Sequence, residues 1–309
     1  MHFAVATASL LYAVSSYSIE LHRARSSAVL CTECAPTLSW SRLRAGGTEN
    51  NNEDNAELPP PLIKLAVFDG SSCPYAARTW MTVLELGIPH EILEVSPMKK
   101  PAWLLERNPR GKVPVLENLS DGSVVYESSI CNEYLCDLAR ENEEKTETKS
   151  NSNHRLMPAS AKDRAKMRLL CDHFDNDVAP AQYTFFMNTE DEKDDELRGK
   201  LEDALDYLEN ALLLASKESK GASSYYLMGA DFTLADIHVL PFLLRLVVTL
   251  KHFKGYQLPE ARFPLLLEWY ARCQERPSFQ TTGKTEEDII TIYQRFKDMS
   301  YKFGGLNHN

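Results

Sequence analysis

Residues 71–80 read SSCPYAARTW, and the fold turns on how Cys73 and Pro74 are read. Proline suits the first helical position, where its missing N–H would have had no partner. A helix-forming run follows, so the spacing predicts a helix that begins directly after Cys73. A helix start leaves backbone N–H groups unpaired and carries the positive end of the peptide dipoles. A thiol held there is expected to lose its proton more easily than a free one. From this stretch alone, Cys73 is either such a reactive thiol or an ordinary buried cysteine.

The neighbouring residues extend the pattern. LIKLAVFD (62–69) is β-rich and apolar, a strand leading into the cysteine. PYAARTWMTVLELG (74–87) spaces Trp80, Val83 and Leu84 along one helical face, with Gly87 as the stop. HEILEV (90–95) reads as a second strand and PAWLLERNP (101–109) as a short helix between prolines. KVPVLEN (112–118) and SVVYE (123–127) form a hairpin around the SDG turn. SSICNEYLCDLA (128–139) opens on serines that can cap, then turns helical. The order is β-α-β-α-β-β-α, and the first crossover is expected to be parallel and right-handed.

Everything beyond a charged, polar linker reads as helix. SAKDRAKMRLLCDHFDNDVAPAQYTFFM (160–187) and DDELRGKLEDALDYLENALLLASK (194–217) are long and amphipathic. FTLADIHVLPFLLRLVVTL (232–250) is apolar nearly all round, so it is expected to be buried. Its length and its Arg245 argue against a membrane span. FPLLLEWYARCQERPSF (263–279) and EEDIITIYQRF (286–296) complete a helical bundle. The expected domains are 61–141 (mixed strand and helix), 142–157 (linker) and 158–300 (all-helical), with 301–309 as a tail.

The first sixty residues differ in kind. FAVATASLLYAVSS (3–16) resembles the apolar part of a signal peptide but is too short to span a bilayer. Residues 22–44 hold four arginines and the single acid Glu33, like an organelle transit sequence. ENNNEDNAELPPP (49–61) then reads as a linker, so 1–60 is expected to lie outside the fold. CTEC (31–34) has redox or zinc spacing without a second pair, and no metal site is expected. Compartment is therefore read as cytoplasm or, if the leader is real, plastid or mitochondrion.

Composition narrows the class. The 309 residues carry a net charge of −10 and no dense basic patch, which speaks against a nucleic-acid partner. Seven cysteines without regular spacing argue against a disulfide scaffold and for a reducing compartment.

A β-α-β-α-β-β-α unit with a cysteine at its first helix, followed by an all-helical domain, resembles the glutathione transferase superfamily. The CPYA motif at 73–76 is similar to the cysteine-type classes, omega first, with lambda and the dehydroascorbate reductases close. The resemblance covers about residues 62–300. It implies a thioredoxin-like domain followed by a helical one, with glutathione as co-substrate and no metal. It implies Cys73 as the catalytic residue. It implies glutathione-binding roles for Lys100 (with Lys99 the other candidate), Val113, Pro114, Glu127 and Ser128. Val113–Pro114 would be a cis bond that turns backbone groups toward the peptide. Ser128 would meet a carboxylate at a helix start, and Glu127 the primary ammonium. Ala76 stands where a CPYC motif has its second cysteine, so a second glutathione would complete turnover.

The activity so implied is thiol transfer through a mixed disulfide at Cys73, with dehydroascorbate reduction beside it. The alternatives are conjugation of electrophiles and a non-catalytic omega-like binding or channel-type module. The second substrate would be a small disulfide, dehydroascorbate or an electrophile, and monomer and homodimer stay open. His173, Phe174 and Tyr183 are acceptor-pocket candidates by location. Thr233 and Asp236 form an expected capping box, with Phe232 and Ile237 as its staple.

Overall fold

The computed structural model describes residues 60–70, 72–146, 156–218 and 225–301. The leader, the CTEC pair and part of the linker lie outside the described residues. Four strands, β1 (Ile63–Phe68), β2 (His90–Val95), β3 (Val115–Asn118) and β4 (Val124–Tyr126), form one sheet in the order β2-β1-β3-β4. β1 runs parallel to β2 and antiparallel to β3, and β3 is antiparallel to β4. Helices α1 (Pro74–Glu85), α2 (Ala102–Arg107) and α3 (Ser128–Thr146) complete this unit. Its core is Ile63, Leu65, Val67, Val83, Leu116 and Leu135, all fully buried. The register sets Phe68 beside Val95, Ala66 beside Val115 and Val115 beside Tyr126. Four loops, those after β1, β2 and β4 and the one before β3, therefore emerge at one end of the sheet.

The structure departs from the expected pattern at two places. α3 runs on to Thr146, into the stretch read as linker. The helix expected over 160–187 is α4 (Ala161–His173), then a π-helical turn at Phe174–Val178, then α5 (Ala179–Met187). Pro180 explains the widened turn: it has no N–H to donate backward, and its ring would meet the carbonyl one turn earlier. Wider i→i+5 turns of this kind recur where a helix must re-aim side chains.

The remaining helices are α6 (Asp194–Glu218), α7 (Leu234–Lys254), α8 (Pro264–Gln274), α9 (Pro277–Thr282) and α10 (Glu286–Asp298). α7 is buried on nearly every face, as its unbroken apolar sequence requires. The Thr233–Asp236 capping box opens it, and Phe232 and Ile237 are both buried. Gly255 closes it at φ 61°, a left-handed turn that glycine adopts without a Cβ clash. Among the described residues no helix is long and apolar enough to cross a membrane.

Two polar junctions join α1 to the helical domain. At its end, Glu85 accepts from Arg276 Nε at 2.9 Å and from the Ser278 hydroxyl. In its middle, buried Arg78 donates to the His238 carbonyl at 2.7 Å and to Asp175 Oδ1 at 3.0 Å. His238 Nε2 lies 2.9 Å from the same Asp175 oxygen. Burial first, then the Arg78 charge, push His238 down to about 4, against the pull of Asp175. Burial alone would raise Asp175, but the His238 hydrogen bond and the Arg78 charge bring it down to about 2.

This junction predicts acid sensitivity in a defined window. An unfolded histidine takes up its proton near pH ~6.5, so between about pH 6.5 and 4 the unfolded chain binds more protons than the folded one. Stability falls as pH drops through that window, by on the order of 2–3 kcal/mol from His238. The Asp175 contribution is lost only at lower pH, on the way to about 2. Urea midpoints measured across the window should slope steeply for the intact protein and less for His238→Gln. Equal slopes would assign the sensitivity to other groups.

Candidate active site

Cys73 is the N-cap of α1, with φ −83° and ψ 119°, and Pro74 occupies the first helical position. The residue is half-buried. Its thiol makes no side-chain cap and instead faces the Val113 carbonyl, with Sγ 3.9 Å from the oxygen. The Val113–Pro114 bond is cis. Val113 itself is buried, and Pro114 leads directly into β3. Cys73 and Val113, forty positions apart in the chain, are thus neighbours at the loop end of the sheet.

Glu127 and Ser128 join them through the hairpin. Val115 pairs with Tyr126, which sets Pro114 next to the chain as it leaves β4 for α3. Glu127 takes a left-handed φ of 71°, unusual for a residue with a side chain. Such conformations concentrate at ligand-holding turns. Ser128 is the first residue of α3 and is buried, so the amides of a fresh helix start point out of this corner. The Glu127 carboxylate is engaged in an ion pair: Arg110 Nη1 donates to it at 2.6 Å.

Lys100 follows β2 at the same end of the sheet. Its ammonium lies 6.0 Å from the centre of the Phe68 ring, and Phe68 closes β1 just before the cysteine loop. A Cβ on Gly111, which sits at φ 58°, would stand 3.4 Å from the Lys100 nitrogen and 2.9 Å from Leu105. Glycine is therefore what lets the 108–112 turn approach Lys100. The Lys100 side chain is exposed.

The electrostatics of the thiol differ from the sequence expectation. Burial pushes Cys73 up, and this outweighs the amides of Ala76 and Tyr75 and the positive charges of Arg245 and Arg78. The helix start opposes the shift without reversing it. Cys131, Cys136 and Cys171 lack comparable help and are pushed to about 12 by burial. Those two arginines escaped the sequence reading, in which Arg245 served only to argue against a membrane span.

The acceptor-side candidates divide. His173 turns toward α6, with Nε2 2.9 Å from the Ala204 carbonyl and its ring tilted on Tyr207. Phe174 is fully buried between His238 and Phe242. Tyr183, on α5, sets its hydroxyl 3.3 Å from that of Tyr293 on α10 and its ring against Phe242. Tyr75, at 42% exposure, edges onto Phe242 beside them. Tyr75 lies inside the CPYA motif, yet the reading of that motif gave it no role of its own, and Tyr293 has no sequence motif to mark it, since a tyrosine on a helix face is usually core.

Known proteins share this two-domain fold. The family model described as Glutathione S-transferase, N-terminal domain, matches residues 72–138, and the C-terminal domain model of the same family matches 190–272. The chain is 29% identical over 242 residues to glutathione S-transferase omega-1 of Mus musculus, covering 76% of this chain and 88% of that one. It is 27% identical over 221 residues to the probable glutathione S-transferase DHAR1, cytosolic, of Oryza sativa subsp. japonica, covering 71% and 87%. The crystal structure of glutathione transferase Omega 3C from Trametes versicolor superposes with a TM-score of 0.62 at 28% identity, over 78% of this chain and 93% of that one. With the N-terminal and C-terminal domain models matching in that order along the chain, the chain belongs to the glutathione transferase superfamily of enzymes, and these relatives lie in and around the omega class.

Proposed function

We propose that this chain is a glutathione-dependent thiol transferase that works through a mixed disulfide at Cys73 and also reduces dehydroascorbate. The observation that carries this reading is the placement of Cys73, a thiol at a helix start whose Sγ faces the Val113 carbonyl 3.9 Å away. Omega-class and dehydroascorbate-reductase relatives support it.

Glutathione would lie along the loop end of the sheet, its backbone adding to Val113 as a strand adds to an edge. Ser128 and the α3 amides suit the γ-glutamyl carboxylate. Glu127 suits its ammonium, which would then replace Arg110 as the partner. Lys100 suits the glycyl carboxylate. This leaves the glutathione sulfur against Cys73.

The chemistry balances with two glutathiones. The Cys73 thiolate attacks the glutathione sulfur of a mixed disulfide. The S–S bond breaks, and the leaving thiolate takes a proton. A second glutathione thiolate then attacks the glutathione sulfur on Cys73, freeing the cysteine and giving oxidised glutathione. Two electrons pass from the two glutathiones to the acceptor. With dehydroascorbate the acceptor also takes two protons. Ala76 stands where a second cysteine would compete for the intermediate.

Incubating the full chain with oxidised glutathione should trap one glutathione per chain, and peptide mass spectrometry should locate it on Cys73. Capture at other cysteines with Cys73 left free would refute the assignment.

A further inference from the structure

Cys73 receives support from the far side of the domain seam. Arg245 sits in the middle of α7, only 1% exposed. Its Nη1 donates to the Pro241 carbonyl on its own helix at 2.6 Å. Its Nη2 donates to the carbonyl of Ser72 at 3.2 Å, a residue 173 positions away and next to the cysteine. The same loop is pinned from the sheet side, where Ser72 N and Oγ both donate to the Phe68 carbonyl, at 2.9 and 3.0 Å. The residue before the cysteine is thus gripped from both domains at once.

A buried guanidinium is costly, and a protein that keeps one generally uses it. Its charge reaches the Cys73 sulfur, the Tyr183–Tyr293 hydroxyl pair and the Tyr270 phenol. We propose that Arg245 is a positioning residue for Cys73: it anchors the Ser72 carbonyl across the domain seam and presents a buried positive charge that favours the thiolate over the thiol. The inference rests on the reading of Cys73 as the nucleophile.

Other groups around the sulfur are accounted for. Arg78 on α1 adds a second positive charge, but Asp175 pairs with it. Tyr75 on α1 and Tyr293 on α10 also face Cys73. Burial pushes both phenols up, so they stay neutral in the working range. Glu127, beyond Tyr75, is paired with Arg110. Of the two arginines Arg245 exerts the larger pull on the Cys73 sulfur, and it also holds the carbonyl next to the cysteine, so its removal should be felt most directly.

The test is the pH profile of Cys73 alkylation by iodoacetamide in the full chain, followed by peptide mass spectrometry. Arg245→Met keeps the length and loses the charge. Its profile should move up by about one pH unit, and its rate near neutral pH should fall roughly tenfold. Arg245→Lys restores the charge and should recover most of the rate. A merely structural arginine would shift neither midpoint. Superimposable wild-type and Met profiles, or a Lys profile as displaced as the Met profile, would overturn the proposal. A measurement on the wild-type chain serves if the Met variant does not fold. The Arg245 guanidinium nitrogen resonances should titrate together with Cys73 and stop doing so once Cys73 is alkylated; resonances unmoved by that titration would overturn it equally. These readouts do not involve thiol transfer, so a failure of the nucleophile reading would be seen separately, as activity surviving in Cys73→Ser.

Discussion

Cys73→Ser should lower glutathione-dependent thiol transfer and dehydroascorbate reduction about a hundredfold or more, to background, while glutathione still binds. The substitution is nearly isosteric at a half-buried N-cap, and serine is a good residue for that position. Folding and Tm should therefore hold. What is lost is chemical: a hydroxyl cannot form the mixed disulfide and stays protonated at any working pH. Val113, Ser128, Glu127 and Lys100 are untouched, so retention on immobilised glutathione should persist. Steady-state transfer with a small symmetrical disulfide is the deciding measurement. If Cys73→Ser keeps most of the wild-type rate, the mixed-disulfide route is wrong, and conjugation or a binding role takes its place. The wild-type pH dependence adds a second constraint. Because burial pushes the thiol up, its thiolate is scarce near neutrality. Single-turnover capture of oxidised glutathione should then climb by about tenfold per pH unit above neutrality, until Cys73 is mostly ionised. Ala76→Cys would be a crowded control, because Ala76 is fully buried and an added sulfur has to displace its neighbours.

Residues that act through their backbone or their place in the chain were legible before the structure. CPYA marks a helix start because Pro74 is stereochemically bound to the first turn. KVPVLEN and SVVYE declare a hairpin through their alternation and the SDG turn, and the register of that hairpin brings Val115 to Tyr126 and so Pro114 toward Glu127. The Thr233–Asp236 pair could be read because a capping box is a local device. Three kinds of feature were hidden. The length of α3 was hidden because its last turns are charged and resemble a linker. The π-helical turn at Phe174–Val178 was hidden because Pro180 reads as a helix interruption, not as a widening. The direction of the Cys73 shift was hidden because burial is a property of the assembled domains, whereas the helix start is local. Arg245 belongs with the last case: on a buried apolar helix its partner could be named only once the Ser72 carbonyl was seen across the seam.

Asp236→Ala should cost about 3–5 kcal/mol, the largest stability loss expected of any single change outside the site. The carboxylate is fully buried and its two oxygens take four donors. Oδ2 accepts from Thr233 N at 2.8 Å and Thr233 Oγ1 at 3.1 Å, closing the cap on α7. Oδ1 accepts from Leu227 N at 3.0 Å and Trp269 Nε1 at 2.8 Å, tying the 225–229 turn and α8 to the same point. Alanine strands these donors in the core of the helical domain, and each buried orphan costs on the order of 1–3 kcal/mol before any relaxation. Asn should fare little better, since its amide NH2 must face donors where an oxygen stood. Thr233→Ala removes only the cap hydroxyl and should cost about 1 kcal/mol. In a chain of this size the Ala change corresponds to roughly 6–20 °C in Tm, at about 2–4 °C per kcal/mol. Its donors Leu227, Thr233 and Trp269 all belong to the helical domain and none is a glutathione-binding candidate, so the glutathione KM of whatever folds should stay at the wild-type value. A Tm within about 2 °C of wild type, or a raised KM at unchanged Tm, would contradict a structural role and move Asp236 into the site.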